Sequence, residues 1–274
     1  MNNDRLQVRF WGVRGSIPVS GPDFSRYGGN TACIEIRCGD DRILFDAGSG
    51  LREAGLALAA DGVSDVDLFF SHCHYDHIIG LPFFDPIYRP SVKTNIWSGH
   101  LRGKMSTRQM VEQFISPPWF PLHAFPTTVN FRDFSPGQML TPRKGITIRT
   151  FMLNHPGGAV GYRIEWKSKS VALVYDVEHN PGVYDPILLE LMKGADLVVY
   201  DCTYNEDEMQ HFRGFGHSSW QHGIKLAQMA RARRFAMFHH APSRTDQQLA
   251  EMERSAKLVF PGAFAAYEGQ IVEI

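Results

Sequence analysis

Apolar and polar positions alternate early in the chain. Leu6 to Trp11 alternates with a period of two, as a half-buried strand does, and Gly12-Val13-Arg14-Gly15-Ser16-Ile17-Pro18 then interrupts it with glycine and proline. Ala32 to Cys38 and Arg42 to Phe45 read as a second and third strand turned at Gly39-Asp40-Asp41, and Leu51 to Ala60 as a helix. Val66 to Ser71 is again strand-like. The pattern then breaks up over 82–131, where Pro86, Pro90, Pro117, Pro118, Pro121 and Pro126 stand among Phe114, Trp119, Phe120 and Phe125, and Lys104 to Gln113 reads as a helix. That stretch is too apolar for a disordered linker, so it is expected to be an insertion packed over a functional site.

Periodicity returns with a strand over Gly145 to Leu153 and a hairpin over Gly161 to Trp166 and Ser170 to Tyr175. Asp185-Pro186 reads as an N-cap and first helical position, and Gly194 ends that helix. A buried-type strand, Asp196 to Tyr200, comes next. A helix capped by Ser218 with Gln221, the strand Arg234 to Phe238, and a helix capped by Thr245 with Gln248 follow. Phe264 to Tyr267 and Ile271 to Ile274 close the chain as short strands. Strand, loop and helix alternate throughout, with no repeat or linker, so one α/β domain is expected over 1–274.

The chemistry gathers where strands end. His72-Cys73-His74-Tyr75-Asp76-His77 follows the Val66 to Ser71 strand and precedes a helix-like apolar run. In an extended segment His72, His74 and Asp76 share a side, Cys73 and Tyr75 take the other, and His77 starts the turn. Neutral imidazoles with a carboxylate suit zinc, manganese or iron. A His-x-His pair holds one ion, and the adjoining Asp-His pair can hold a second. A polar loop with chance histidines would not pack ligands this densely at a strand end.

His72-x-His74-x-Asp76-His77 resembles the signature of the metallo-β-lactamase superfamily of binuclear metallohydrolases. The resemblance implies a four-layer αββα sandwich with two divalent ions at one edge of its two sheets, zinc first and manganese or iron as alternatives. His155, in Asn154-His155-Pro156-Gly157-Gly158, matches the third motif, and Asp176, in Asp176-Val177-Glu178-His179, matches the carboxylate that bridges both ions. Aligning the end of the Arg234 to Phe238 strand puts the last ligand at His240, with His239 as the alternative. One ion would then take His72, His74, His155 and Asp176, and the other Asp76, His77, Asp176 and His240. Asp46, in Asp46-Ala47-Gly48, would support the metal loop from behind.

Asp201 after its strand, with His217-Ser218-Ser219 before a helix, resembles ribonuclease Z and related phosphodiesterases. There the histidine faces the scissile phosphate and the acid orients it. Asp76, His217 and Asp201 are therefore the catalytic candidates. Asp201 stands where ribonuclease Z usually has Glu, Val177 where it has Thr, and no long Gly/Pro-rich arm is present. The expected activity is hydrolysis of small or cyclic phosphodiesters, cyclic nucleotides among them. A lactone, thioester or lactam hydrolase on the same ions is the alternative, and a non-enzymatic metal-stabilised module is the third reading. Arg14, Arg213 and Arg244 read as surface solvation before phosphate clamps, Glu178 and His179 as rim residues, and His100 and His123 as structural.

Composition limits the partners. The chain has 274 residues, 43% hydrophobic and 21% charged, with net charge −1, so no global field draws in a polyanion. A small-molecule phosphodiester is expected, a large nucleic acid is not, and the aromatic stretch is suited to a homodimer contact. No apolar run reaches membrane-span length. Four cysteines without a secretory leader point to free thiols and the cytoplasm.

Overall fold

The computed structural model describes residues 5–121 and 125–274, so His123 lies outside the described residues. The described residues form two seven-stranded sheets. The first contains β1 (Leu6–Gly12), β2 (Cys33–Cys38), β3 (Asp41–Phe45), β4 (Asp65–Phe69), β5 (Lys93–Ser98) and β6 (Val129–Asp133) in that order, with β14 (Ile271–Glu273) beside β1. The second runs from β7 (Met139–Leu140) through β8 (Ile146–Leu153), β9 (Ala159–Trp166), β10 (Lys169–Val174), β11 (Leu197–Asp201) and β12 (Phe235–Phe238) to β13 (Ala263–Ala265). In each sheet one half is antiparallel and the other parallel: β3 to β6 in the first and β10 to β13 in the second.

Apolar faces decide the layering. Phe10, Ile36, Phe45 and Phe69 from the first sheet meet Ile148, Tyr162, Leu173 and Phe238 from the second in a fully buried central core. The outer face of the first sheet buries Leu51, Ala54 and Leu58 of α1 (Leu51–Ala60), Ile78 of α2 (Tyr75–Ile78), and Met110 and Val111 of α3 (Thr107–Phe114). The outer face of the second buries Leu188 and Leu191 of α4 (Pro186–Met192), Ile224 and Leu226 of α5 (Trp220–Met229), and Leu249 and Met252 of α6 (Asp246–Val259). Each of the leucine, isoleucine, valine and methionine side chains among them contributes roughly 1.5–3 kcal/mol by leaving water. The αββα order expected from the resemblance is therefore the order adopted.

Two expectations are corrected. The 82–131 stretch is no addition over the site: β5 lies between β4 and β6, inside the first sheet. Its alternation is hidden because polar residues are buried there, with Thr94 inaccessible and Trp97 Nε1 donating to Asp67 Oδ1 at 2.8 Å. The cap of α5 is Ser219, which accepts from His222 N at 3.3 Å, rather than Ser218. The Ser218 hydroxyl is taken up by His179 Nδ1 at 2.6 Å and Tyr200 at 3.1 Å. The Asp185 cap with Pro186 and the Thr245–Gln248 capping box form as read.

The parallel strands β3 and β4 of one sheet, and β10, β11 and β12 of the other, end at Phe45, Phe69, Val174, Asp201 and Phe238. The chain beyond those ends carries the candidate chemistry, as expected at the carboxyl ends of strands in α/β sheets.

Candidate metal centre and active site

Besides an overlapping set of Asp176, Asp201, His217 and His239, two groups of ligand atoms converge between these strand ends. His72, His74 and His155 form one; Asp76, His77, Asp176 and His239 form the other, all atoms of a group lying within 4.8 Å of one another. Asp176 reaches both. Its Oδ1 is 3.9 Å from His72 Nε2 and 3.8 Å from His155 Nε2, and its Oδ2 is 3.1 Å from His77 Nε2 and 3.4 Å from His239 Nε2.

The last histidine of the set is His239, not His240. The backbone leaves β12 at His239 with φ +59°, which turns its ring to within 3.1 Å of Asp76 Oδ2. His240 points away, donating Nε2–H to Ala266 O at 2.9 Å and meeting Tyr27 edge-on. Aligning strand ends misses this, because left-handed backbone at the junction exchanges the sides of successive residues. Asp46 and Asp176 also sit at positive φ, +62° and +56°. Sparsely populated backbone gathered at one place is a mark of function.

Supporting contacts fix which nitrogens face inward. Asp46 Oδ1 accepts from Ser71 N at 2.7 Å, and its Oδ2 from Ser71 Oγ at 2.8 Å and His77 Nδ1 at 2.9 Å. Asp46 therefore braces the loop that carries the candidate ligands. His155 Nδ1 donates to Gly216 O at 2.8 Å, and His239 Nδ1 lies 3.0 Å from Thr203 Oγ1. With the outer nitrogens carrying protons, a neutral ring presents a lone pair inward. Yet His155 Nε2 faces His74 Nδ1 at 3.1 Å and His77 Nε2 faces His239 Nε2 at 3.3 Å. Each such pair is held either by a proton on one of its two nitrogens or by a cation between them. His72 Nε2 and Asp176 Oδ2 are buried without an aligned hydrogen-bond partner.

Charge points the same way. Burial, followed by the charge of His77, pulls the His72 pKa well below its ordinary value; His74 and His155 are lowered, chiefly by burial. Neutral imidazoles are the ligand form. Burial also opposes charge on His77, but Asp176, Asp76 and Asp46 overcome it and raise its pKa well above normal. The carboxylates thus demand positive charge in this pocket. The donor set fits two divalent cations of the zinc, manganese or iron class.

Beside the second group, His217 Nδ1 lies 3.0 Å from Asp201 Oδ2 and 3.8 Å from Asp176 Oδ1. Burial lowers the His217 pKa, but Asp201, by charge and hydrogen bond, outweighs it and brings the value up to about 9. Asp201 is itself held by Thr203 Oγ1 at 2.8 Å and by the amides of Thr203, Asp176 and Ser218. His74, Asp76, Asp176 and His217 line a cleft of about 430 Å³ together with Ser16, Cys73 and Tyr75, so Cys73 and Tyr75, expected on the other side, border the same cleft. Of the candidate clamps, Arg14 is buried and donates to the carbonyls of Gly28, Ala241 and Arg244, and Arg244 pairs with Glu208 at 2.6 Å.

Several contributors escaped the sequence reading. Ser16 N donates to Asp76 Oδ2 at 2.7 Å, and a Cβ on Gly15 would come 2.1 Å from the His239 ring. The glycine-broken 12–18 segment was the available signal. Thr203 had none beyond following Asp201.

The profile of the β-lactamase superfamily domain matches residues 41–240. A ribonuclease Z of Natronomonas pharaonis is 24% identical over 327 aligned positions, covering 98% of each chain. Among solved structures, the metallo-β-lactamase fold protein YhfI from Bacillus subtilis superposes with TM-score 0.73 at 22% identity, covering 99% of this chain and 100% of that one. A diphosphatase from the PhnP family does so with TM-score 0.71 at 16% identity, covering 98% and 97%. The profile match takes in both ligand groups from His72 to His239, and the chain belongs to the β-lactamase superfamily as a hydrolase of the metallo-β-lactamase fold.

Proposed function

We propose that the protein is a binuclear metal-dependent phosphodiesterase acting on small or cyclic phosphodiesters. The ions would be held by His72, His74, His155 and Asp176 on one side and Asp76, His77, Asp176 and His239 on the other, zinc being the first choice. Divalent cations there supply Lewis acidity and lower the pKa of water.

The observation that carries the reading is the His217–Asp201 pair beside Asp176. Asp201 fixes the Nδ1–H tautomer, leaving Nε2 as the ring atom available to the cleft. A charged His217 can hold a non-bridging phosphoryl oxygen and then pass its Nε2 proton to the leaving alkoxide. Asp76, its carboxylate fixed by the Ser16 amide, orients the attacking oxygen. Carbonyl hydrolysis has less use for a second cationic acid at this distance.

The test is turnover on bis(p-nitrophenyl) phosphate and cyclic AMP beside a lactone and a thioester, in wild type and His217→Ala. Cyclic AMP cleavage that falls about 10²–10⁴-fold in the variant, with a smaller fall on bis(p-nitrophenyl) phosphate, supports the reading. Carbonyl cleavage alone refutes it. A second reading, an RNA substrate, is favoured by the relative named ribonuclease Z that spans 98% of the chain. It counters the expectation against a large nucleic acid. Cleavage of a structured RNA with a steep salt dependence would select it.

A further inference from the structure

Glu178 belongs to neither ligand group, yet it touches the supports of both chemistries. Its carboxylate accepts from Gly214 N, at 2.9 Å on Oε1 and 3.0 Å on Oε2, and from Gly216 N at 2.8 Å on Oε2. Its backbone is tied to the third metal-motif loop: Glu178 N donates to Asn154 O at 2.8 Å, and Asn154 Nδ2 donates to Glu178 O at 3.0 Å. Three strand-end loops therefore meet on this residue: the one carrying His155, the one carrying Asp176, and the one carrying His217.

The held segment is one that would not hold itself. Gly214 and Gly216 lie at φ +85° and +87°, and glycine populates many alternatives when free. Gly216 is also pressed against the site: a Cβ there would stand 2.2 Å from His155 Nδ1. Its carbonyl accepts the His155 Nδ1 proton at 2.8 Å, and His217 follows it directly in the chain. Amide donors on an ionised carboxylate make short, strong bonds.

We propose that Glu178 is a positioning residue: by gripping the Gly214 and Gly216 amides it sets the Gly216 carbonyl that orients His155 and aims His217 into the cleft. The kinetic half of this proposal rests on the phosphodiesterase reading; the structural half does not.

The experiment compares wild type, Glu178→Gln and Glu178→Ala as zinc-loaded full chains. Amide exchange is followed over 212–217, zinc affinity by chelator competition, and kcat and KM on bis(p-nitrophenyl) phosphate and cyclic AMP. In Glu178→Ala, exchange at Gly214 and Gly216 should rise at least about tenfold, and zinc at the His155 group should weaken about tenfold. The kcat should fall about 10–100-fold with KM nearly constant, and more for cyclic AMP, whose alkoxide leaving group needs the proton, than for p-nitrophenolate. Glu178→Gln, which keeps one acceptor oxygen, should fall between. Unchanged exchange in Glu178→Ala overturns the proposal. So does an equal loss on both substrates that tracks thermal stability, which marks a merely structural residue. If wild type cleaves neither diester, the phosphodiesterase reading fails, and exchange and zinc affinity still decide whether Glu178 holds the loop.

Discussion

His239 and His240 are adjacent, equally buried and of the same type, yet one faces Asp76 and the other Ala266. Their substitutions should separate cleanly. His239→Ala should reduce bound metal from two ions to one. His240→Ala should keep both ions but lose about 2–4 kcal/mol in urea unfolding, since Ala266 O loses its donor and a cavity opens. Equal metal loss in both variants would contradict the assignment. His217 offers a second test in metal-free protein. Its pKa of about 9 lies above the ordinary value, so its stabilising contribution is complete below about pH 6.5 and lost as pH rises through about 9. Asp201→Asn should bring its NMR titration down and flatten that loss. The four candidate ligands in His72-x-His74-x-Asp76-His77 were legible as a cluster because they are local. The choice of His239 depends on one backbone angle and on Gly15, more than two hundred positions away, which no local spacing encodes.

The glycine-broken segment after β1 reaches across to the end of β12, where Gly15 N donates to His240 O at 3.0 Å. Gly15 lies so near the His239 ring that a methyl group cannot fit without displacing it. Gly15→Ala should therefore weaken metal at the second group about tenfold while sparing the first, read by stepwise chelator titration. Equal weakening at both would mean a general loss of fold. Helix starts were legible where the cap is local: Thr245 with Gln248 begins α6, and Thr245→Ala should cost about 1 kcal/mol in thermal unfolding with metal content unchanged. The cap of α5 was misplaced by one residue because tertiary partners, His179 and Tyr200, claim the Ser218 hydroxyl. β5 was missed for a similar reason, its polar side chains being buried against Asp65 and Asp67.

Neither sheet alone builds the centre. The first supplies His72, His74, Asp76 and His77 beyond β4, and the second supplies His155, Asp176 and His239 beyond β8, β10 and β12. Cations held between them would join the two halves of the molecule. Chelation should accordingly lower the thermal midpoint reversibly, with recovery on adding zinc, because a ligand bound only by the folded state stabilises it. An α/β domain was legible in the order of strands and helices, whose periodicity is set by which face is buried, while the four-layer order came from the resemblance carried by the His/Asp motif. The pairing of loops was not legible, since Asp46 with His77 beyond the first sheet, His155 with Gly216 and Glu178 with Gly214 beyond the second, and His74 with His155 and Asp76 with His239 between the two each join distant positions. No helix among the described residues is long and apolar enough to cross a membrane. The most direct measurement is metal content per chain taken together with turnover of bis(p-nitrophenyl) phosphate, in wild type and Asp176→Ala. Two ions and metal-dependent cleavage in wild type, both lost in Asp176→Ala, are predicted. Two ions with no cleavage, or full metal content and activity in the variant, would contradict a bridged pair of cations acting on a phosphodiester.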